Sequence, residues 1–323
     1  MLSRERVIAV IEHHKPDRVP YYGWLRANLE EPISEKYGSV AAFEDKYEFD
    51  FAHVFGGPVS YWGTDDLQPL REEHGIIEPS MLLDVPLHDV NDEAAYENLR
   101  GLIDHHKNQR GRFVYCQTPG IFEKLNAAFG IENHLAWLLM YEDDLKKVYD
   151  THAEWNIQFA MNILDLGVDM VHISDDWGAQ NGLLFNPDTW WKLIYPQQKK
   201  VTEAVKARGA YLSLHSDGNV KDLVDGIMKL GFDVVHPWQE SAGMDLQDFK
   251  DNYMDRFSVM GGLDVQSTIG FGRHDHLVSE IHRVIDMFRD GGLLYCTTHF
   301  IQAHCTMEEL ELAFDTVYEA VRK

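Results

Sequence analysis

Leu166-Gly-Val-Asp-Met-Val-His172 returns 64 residues later as Leu230-Gly-Phe-Asp-Val-Val-His236. Each copy reads as a helix end, a glycine turn and an apolar run closing on a histidine. The offset holds two strand–helix units of about 32 residues each, enough for parallel strands joined by crossovers. Outward from the repeat, apolar runs at Val19–Trp24, Phe49–Phe55, Arg112–Gln117, Val168–Ser174, Tyr211–His215, Asp233–Trp238, Phe257–Gly261 and Gly292–Thr298 read as eight strands. Segments of helical periodicity separate most of them. The alternation predicts an α/β protein, a (β/α)8 TIM barrel occupying residues 1–323 as one domain. No GxGxxG follows an early strand, which counts against an open dinucleotide-binding sheet.

Two additions to the barrel are expected. Ser3 can cap an N-terminal helix to about His14, with Val7, Ile8 and Ile11 on one face and Pro16-Asp-Arg-Val-Pro20 stopping it. Between the second and third strands, residues 59–110 form an insertion that turns irregular around Pro69, Pro79 and Pro86. A hairpin is expected there, followed by a helix capped by Asn91 or Asp92. Farther on, Asn186-Pro187-Asp188 has the capping side chain and first-turn proline of a helix start.

The charge balance narrows the partners. With 29 Lys and Arg against 53 Asp and Glu, the formal charge is -24, which repels nucleic-acid backbones and anionic membranes. No apolar run approaches the roughly 18 residues of a membrane helix. Met1-Leu-Ser-Arg-Glu-Arg6 lacks the basic and apolar segments of a signal peptide. The three cysteines, Cys116, Cys296 and Cys305, include no CxxC and suit a reducing, cytoplasmic setting.

In an eight-fold barrel, chemistry sits where the strands end. Here the ends carry Gln117 after the third strand, Asp175 and Asp176 after the fourth, and His215 and Asp217 after the fifth. His236 and Gln239 follow the sixth, Asp264 the seventh and His299 the eighth. A purely structural turn favours Gly, Asn, Ser or Pro. His215 and Asp217, at i and i+2, point to the same side of an extended chain. With His299 they make a two-histidine, one-carboxylate set suited to zinc, iron(II) or another divalent ion, with a position open for substrate. The alternative is that these groups hydrogen-bond one another or a substrate without metal. Of the consecutive acids Asp175 and Asp176, one or the other can act as a base or further ligand, the other capping a helix. Asp264 follows two glycines that allow close approach of a ligand. Trp177 and Trp238 can line an aromatic pocket or pack beneath loops. Gly270-Phe-Gly-Arg273, ahead of a helix, offers a weak phosphate cradle.

Several stretches, in order along the chain, resemble the uroporphyrinogen decarboxylase superfamily. They are Glu5-Arg-Val with Pro16-Asp-Arg-Val-Pro20, Ser174-Asp-Asp-Trp-Gly178, Leu214-His-Ser-Asp-Gly-Asn219, Gly243-Met-Asp245, Gly261-Gly-Leu-Asp264 and Thr298-His-Phe-Ile-Gln302. The resemblance implies the same barrel, and a choice between haem-pathway decarboxylases and methyltransferases that use a methylated corrinoid protein. The second half is more similar to the methyltransferases. Their zinc motif implies His215 as a ligand, with Asp217 at the first thiolate position and His299 at the second. Loss of both thiolates implies a harder site, fitted to an oxygen ligand rather than a thiol, with a corrinoid or tetrahydrofolate as co-substrate.

The decarboxylase branch carries an arginine-rich segment near its start, where Tyr21–Asn28 offers only Arg26 as a substrate contact. The expected function is therefore methyl transfer between a corrinoid and a small acceptor, with a corrinoid protein as the expected partner. The alternatives are decarboxylation of a tetrapyrrole or smaller acid, with Asp175 or Asp176 stabilising a protonated intermediate, and non-catalytic corrinoid or tetrapyrrole binding.

Overall fold

The computed structural model describes residues 1–59 and 64–323. Its strands are β1 (Phe51–Val54), β2 (Phe113–Pro119), β3 (Met170–Ser174), the two-residue pieces β4 (Gly178–Ala179) and β5 (Gly182–Leu183), β6 (Tyr211–His215), β7 (Val234–His236), β8 (Ser258–Leu263) and β9 (Leu293–Thr297). Seven of them form one sheet in the order β1-β2-β3-β6-β7-β8-β9, and β4 pairs with β5 alone. The protein is therefore α/β. Its chain divides into two compact units, one of Val54–His105 with Tyr115–Phe232, the other of Met1–His53, His106–Val114 and Asp233–Lys323.

In the unit containing Tyr115–Phe232, β2, β3 and β6 run parallel, with Gln117 beside His172, His172 beside Ser213, and Ser174 beside His215. Every residue of β3 is buried, as expected where helices cover both faces of a parallel sheet. The helix Glu142–Asp165 packs on β3 and the helix Tyr195–Ala207 on β6. Leu145, Val148, Tyr149, Trp155, Phe159 and Ile163 make the buried stripe of the longer helix, spaced as a helix facing a core requires.

The 59–110 segment departs from expectation. Its described part carries helices at Thr64–His74 and Pro79–Leu82, with no hairpin among the described residues; residues 60–63 of the expected insertion lie outside them. Asp65 and Asp66 open the first helix and Arg71 and His74 close it, complementing its dipole, with Pro69 inside. Asp92 is the cap that forms, accepting from the Ala94 N–H. A hairpin occurs instead at β4–β5, too short for alternation to reveal. A Cβ on Gly178 would lie 2.6 Å from the Asp217 carbonyl oxygen, so only glycine lets this hairpin lie on the turn after β6.

In the other unit, β7, β8 and β9 run parallel. The expected strand at Val19–Trp24 is reduced to one parallel bridge between Tyr21 and Tyr295. The Tyr22 N–H donates to Tyr295 O, the Tyr295 N–H to Pro20 O and the Asp50 N–H to Tyr21 O. Pro20 has no N–H to continue the ladder. The segment is anchored by ions as well. Asp50, fully buried, accepts from Arg6 Nη1 at 2.6 Å, Arg18 Nη1 at 2.6 Å and the Tyr21 N–H at 3.1 Å. Arg6 also holds Asp17 through Nε at 2.6 Å. The motif residues Arg6, Asp17 and Arg18 thus tie the first helix to the strand region.

Candidate functional site

Asp175 shapes the end of β3. Its oxygens accept the N–H groups of Ile121 at 3.0 Å, Phe122 at 2.9 Å and Glu123 at 2.7 Å, and the Gln198 amide at 2.9 Å. Burial pushes its carboxyl up against these donors, which pull it down. Fully buried and so occupied, Asp175 is the anchor of the turn after β2. A Cβ on Gly120 would lie 2.3 Å from Asp175 Cβ, so that turn requires glycine.

Asp176 faces differently. Its Oδ1 accepts the Asp217 N–H at 2.8 Å and stands 3.7 Å from His215 Nε2, while Asp217 Oδ1 is 3.8 Å from the same nitrogen. Burial lowers the His215 pKa to about 4, so its imidazole is neutral near pH 7. Below it in the sheet, His172 Nδ1 meets Ser213 Oγ at 2.7 Å. Asp176, His215 and Asp217 are thus brought together. Asp175 belongs to the support behind them.

Glu123 was not among the residues singled out by sequence, because it lies past the Thr118-Pro-Gly120 turn with no motif around it. The Ser174 hydroxyl donates to its carboxyl at 3.4 Å and the Asp176 N–H donates to it as well. Burial, then the charges of Asp176 and Asp175, raise its pKa to about 8. An acid that keeps its proton near pH 7 beside other carboxyls is the arrangement that separates acid from base roles. Gln117, expected after its strand, lies inside β2, which continues through Pro119.

The remaining candidates lie at the ends of β7, β8 and β9. His236 is buried, with Nε2 3.3 Å from the Thr297 carbonyl oxygen, and precedes a cis bond to Pro237. Gln239 is buried and its carbonyl starts the turn Glu240–Ala242. Asp264 accepts the Gln266 N–H at 2.7 Å and the Ser241 N–H at 3.4 Å. His299, half-buried, packs tilted against Trp24 with ring centroids 5.1 Å apart.

The structure also places four other residues or motifs read from the sequence. Trp177 is fully buried, edge-on to Trp190 at 5.2 Å, and is core rather than pocket wall. Trp238, likewise buried, packs on Phe249 and Phe257. Arg26 pairs with Glu44 at 3.3 Å. The Gly270-Phe-Gly stretch does make an anion cradle, but its occupant is internal: Gly270, Phe271 and Gly272 donate their N–H groups to the Glu309 carboxylate at 3.0–3.2 Å. Burial holds all three cysteine thiols above their ordinary range, so none offers a ready thiolate.

The fold and these strand ends define an α/β protein with acids and histidines at the strand ends of a mostly parallel sheet. The chain belongs to the uroporphyrinogen decarboxylase (URO-D) family, whose model matches residues 126–320. Among solved structures it is similar to a methyltransferase from Methanosarcina mazei at 14% identity, with a TM-score of 0.69 and 99% of each chain covered. At that identity the likeness shows the fold. A B12-independent methionine synthase from Shewanella sp. W3-18-1 also matches at 14% identity, over 73% of this chain and 69% of that one, with a TM-score of 0.47. No curated protein matches the sequence. Among the described residues, no helix is long and apolar enough to cross a membrane.

Proposed function

We propose that the chain is a (β/α)8-barrel enzyme in which the Tyr21 segment serves as the remaining strand. In this reading it moves a methyl group between a corrinoid, carried by a partner protein, and a small acceptor such as tetrahydrofolate. His215, Asp217 and His299 would hold a divalent metal, zinc or iron. The observation that carries the reading is the setting of His215. A neutral imidazole is the ligating form, and the distances from its Nε2 to Asp176 and Asp217 exceed a hydrogen bond while suiting donors that share a third group. A bound divalent ion would polarise an acceptor oxygen and favour its deprotonation. Asp176, through the Asp217 N–H, fixes the backbone that presents the Asp217 carboxylate. Glu123 keeps a proton at neutral pH.

The fold shared with the methyltransferase supports transfer, and the nitrogen and oxygen donors support an oxygen rather than a thiol ligand. Metal-replete protein is expected to demethylate methylcobalamin in the presence of tetrahydrofolate, followed by loss of the cobalt–methyl absorbance. Inactivity with both tetrahydrofolate and thiols would overturn the reading. Elemental analysis of protein purified without chelators is expected to find metal in the parent and little in His215→Ala or His299→Ala. A parent that cannot be loaded with zinc or iron would sink the ligand assignment.

Decarboxylation is the second reading, favoured by the proton on Glu123, which could replace a departing carboxyl on carbon. Because Arg26 is the one arginine of Tyr21–Asn28 and already pairs with Glu44, a small acid suits it better than a tetrapyrrole bearing many carboxylates. Carbon dioxide release without methyl transfer would establish it.

A further inference from the structure

In the unit containing Tyr115–Phe232, a cavity of about 300 Å³ lies against the ends of β2 and β3. Phe55, Pro58 and Phe159 give it apolar lining; Gln117, Ser174 and Glu123 give it polar lining. That volume is at the lower end of the range for ligand pockets. A single ring fits such a volume and a tetrapyrrole does not.

Glu123 is rigidly presented to this space. Its own N–H is held by Asp175 at 2.7 Å, and the Ser174 hydroxyl and the Asp176 N–H both donate to its carboxyl. Both of these neighbours donate, so the proton of the neutral acid, its one donor, is left for an acceptor in the cavity that Glu123 lines. The charged groups around it are Asp175 and Asp176 at the end of β3 and Lys124 on its own turn. The helices Glu142–Asp165 and Tyr195–Ala207 bring the uncharged Asn156, Phe159 and Gln198 to the same region.

We propose that this cavity is the small-molecule subsite, and that Glu123 donates a hydrogen bond to an ether, carbonyl or amine acceptor on a compact substrate with an apolar body. The inference rests on the reading that a small acceptor binds at these strand ends, but not on methyl transfer.

The probes are anisole, whose oxygen accepts and cannot donate, and toluene, a comparable ring without the oxygen. Titration calorimetry on the full-length protein, in the absence of corrinoid, is expected to show anisole binding three- to tenfold tighter than toluene at pH 6.5, the range of about one net hydrogen bond. That preference should fade as pH rises through about 8, where Glu123 ionises. Glu123→Gln keeps an N–H donor, so its preference should persist without the pH dependence. Glu123→Ala should lose the preference, and Phe159→Ala should weaken both probes. Melting temperatures within a few degrees of the parent identify which variants remain folded. Equal affinity of the parent for the two probes, or the parent's pH profile retained in Glu123→Gln, would overturn the proposal. Binding is read without turnover, so failure here leaves methyl transfer standing, and an inactive enzyme leaves the subsite standing.

Discussion

Asp50 is a fully buried carboxyl and Glu123 a half-buried one, and their surroundings are opposite. Asp50 receives two guanidinium groups and a backbone N–H. Glu123 has a hydroxyl at 3.4 Å, one backbone N–H and two neighbouring acids. The cost of burying the first charge is met by charged donors; the second group meets the cost by keeping its proton. Burial alone does not separate structural from functional acids. Whether the charge is compensated does, and the uncompensated group is the one poised for chemistry.

The hardest blow to this comparison would come from Asp50. Asp50→Ala leaves Arg6 and Arg18 facing a buried gap, and breaking such a pair from one side costs about 3–5 kcal/mol. Urea denaturation is expected to show that loss. A change below about 1 kcal/mol would mean that the network contributes little and that compensation is not what distinguishes the two acids.

Asp175 comes next, and it joins the two regions of the comparison, because it is compensated like Asp50 yet supports the turn bearing Glu123. Asp175→Ala strands three N–H groups and an amide, some of which water will recover, for an expected loss of about 2–3 kcal/mol. The same variant should lower the Glu123 pKa by removing a neighbouring negative charge and admitting water. Carboxyl titration by NMR reads that shift, and an unchanged Glu123 would show that Asp175 does not shape its environment.

The order of strands was readable because each core strand is a continuous apolar run bounded by turn residues. The repeat marks β3 and β7 almost to the residue, since both copies end at the histidines the sheet buries, His172 and His236. The Val19–Trp24 strand was overestimated, because apolar character does not reveal that Pro20 interrupts its ladder. At the site, His215, Asp217 and Asp176 could be found from their place after strands. The division of labour between Asp175 and Asp176 could not, since two adjacent acids have the same signature until the turn at 121–123 chooses one. Glu123 was invisible for a related reason: its character comes from Ser174 and Asp176, residues about fifty positions away.

Glu309 extends the comparison at smaller scale. It is compensated by three backbone N–H groups and, among the described residues, no cation. Glu309→Gln keeps an acceptor oxygen and loses the charge that strengthens each bond, so a loss of about 1–2 kcal/mol is expected. If sulfate restored part of the stability of Glu309→Ala, the cradle would be a competent anion site that its own glutamate fills.

The smallest expected effect has the opposite sign. Glu123 holds its proton up to about pH 8 in the folded chain, against 4.5 for the ordinary carboxyl. Between those values the folded state binds the extra proton, so stability contributed by this group is present in full below about 4.5 and is lost as pH rises through about 8. Glu123→Gln has no such proton to lose. Its stability relative to the parent should therefore grow across that window, reaching a gain of roughly 1 kcal/mol at pH 9, less than full conversion of the shift because water reaches the carboxyl. Urea denaturation at pH 5, 7 and 9 measures the trend. A difference between parent and variant that stayed constant with pH would place Glu123 among ordinary surface carboxyls and erase its contrast with Asp50.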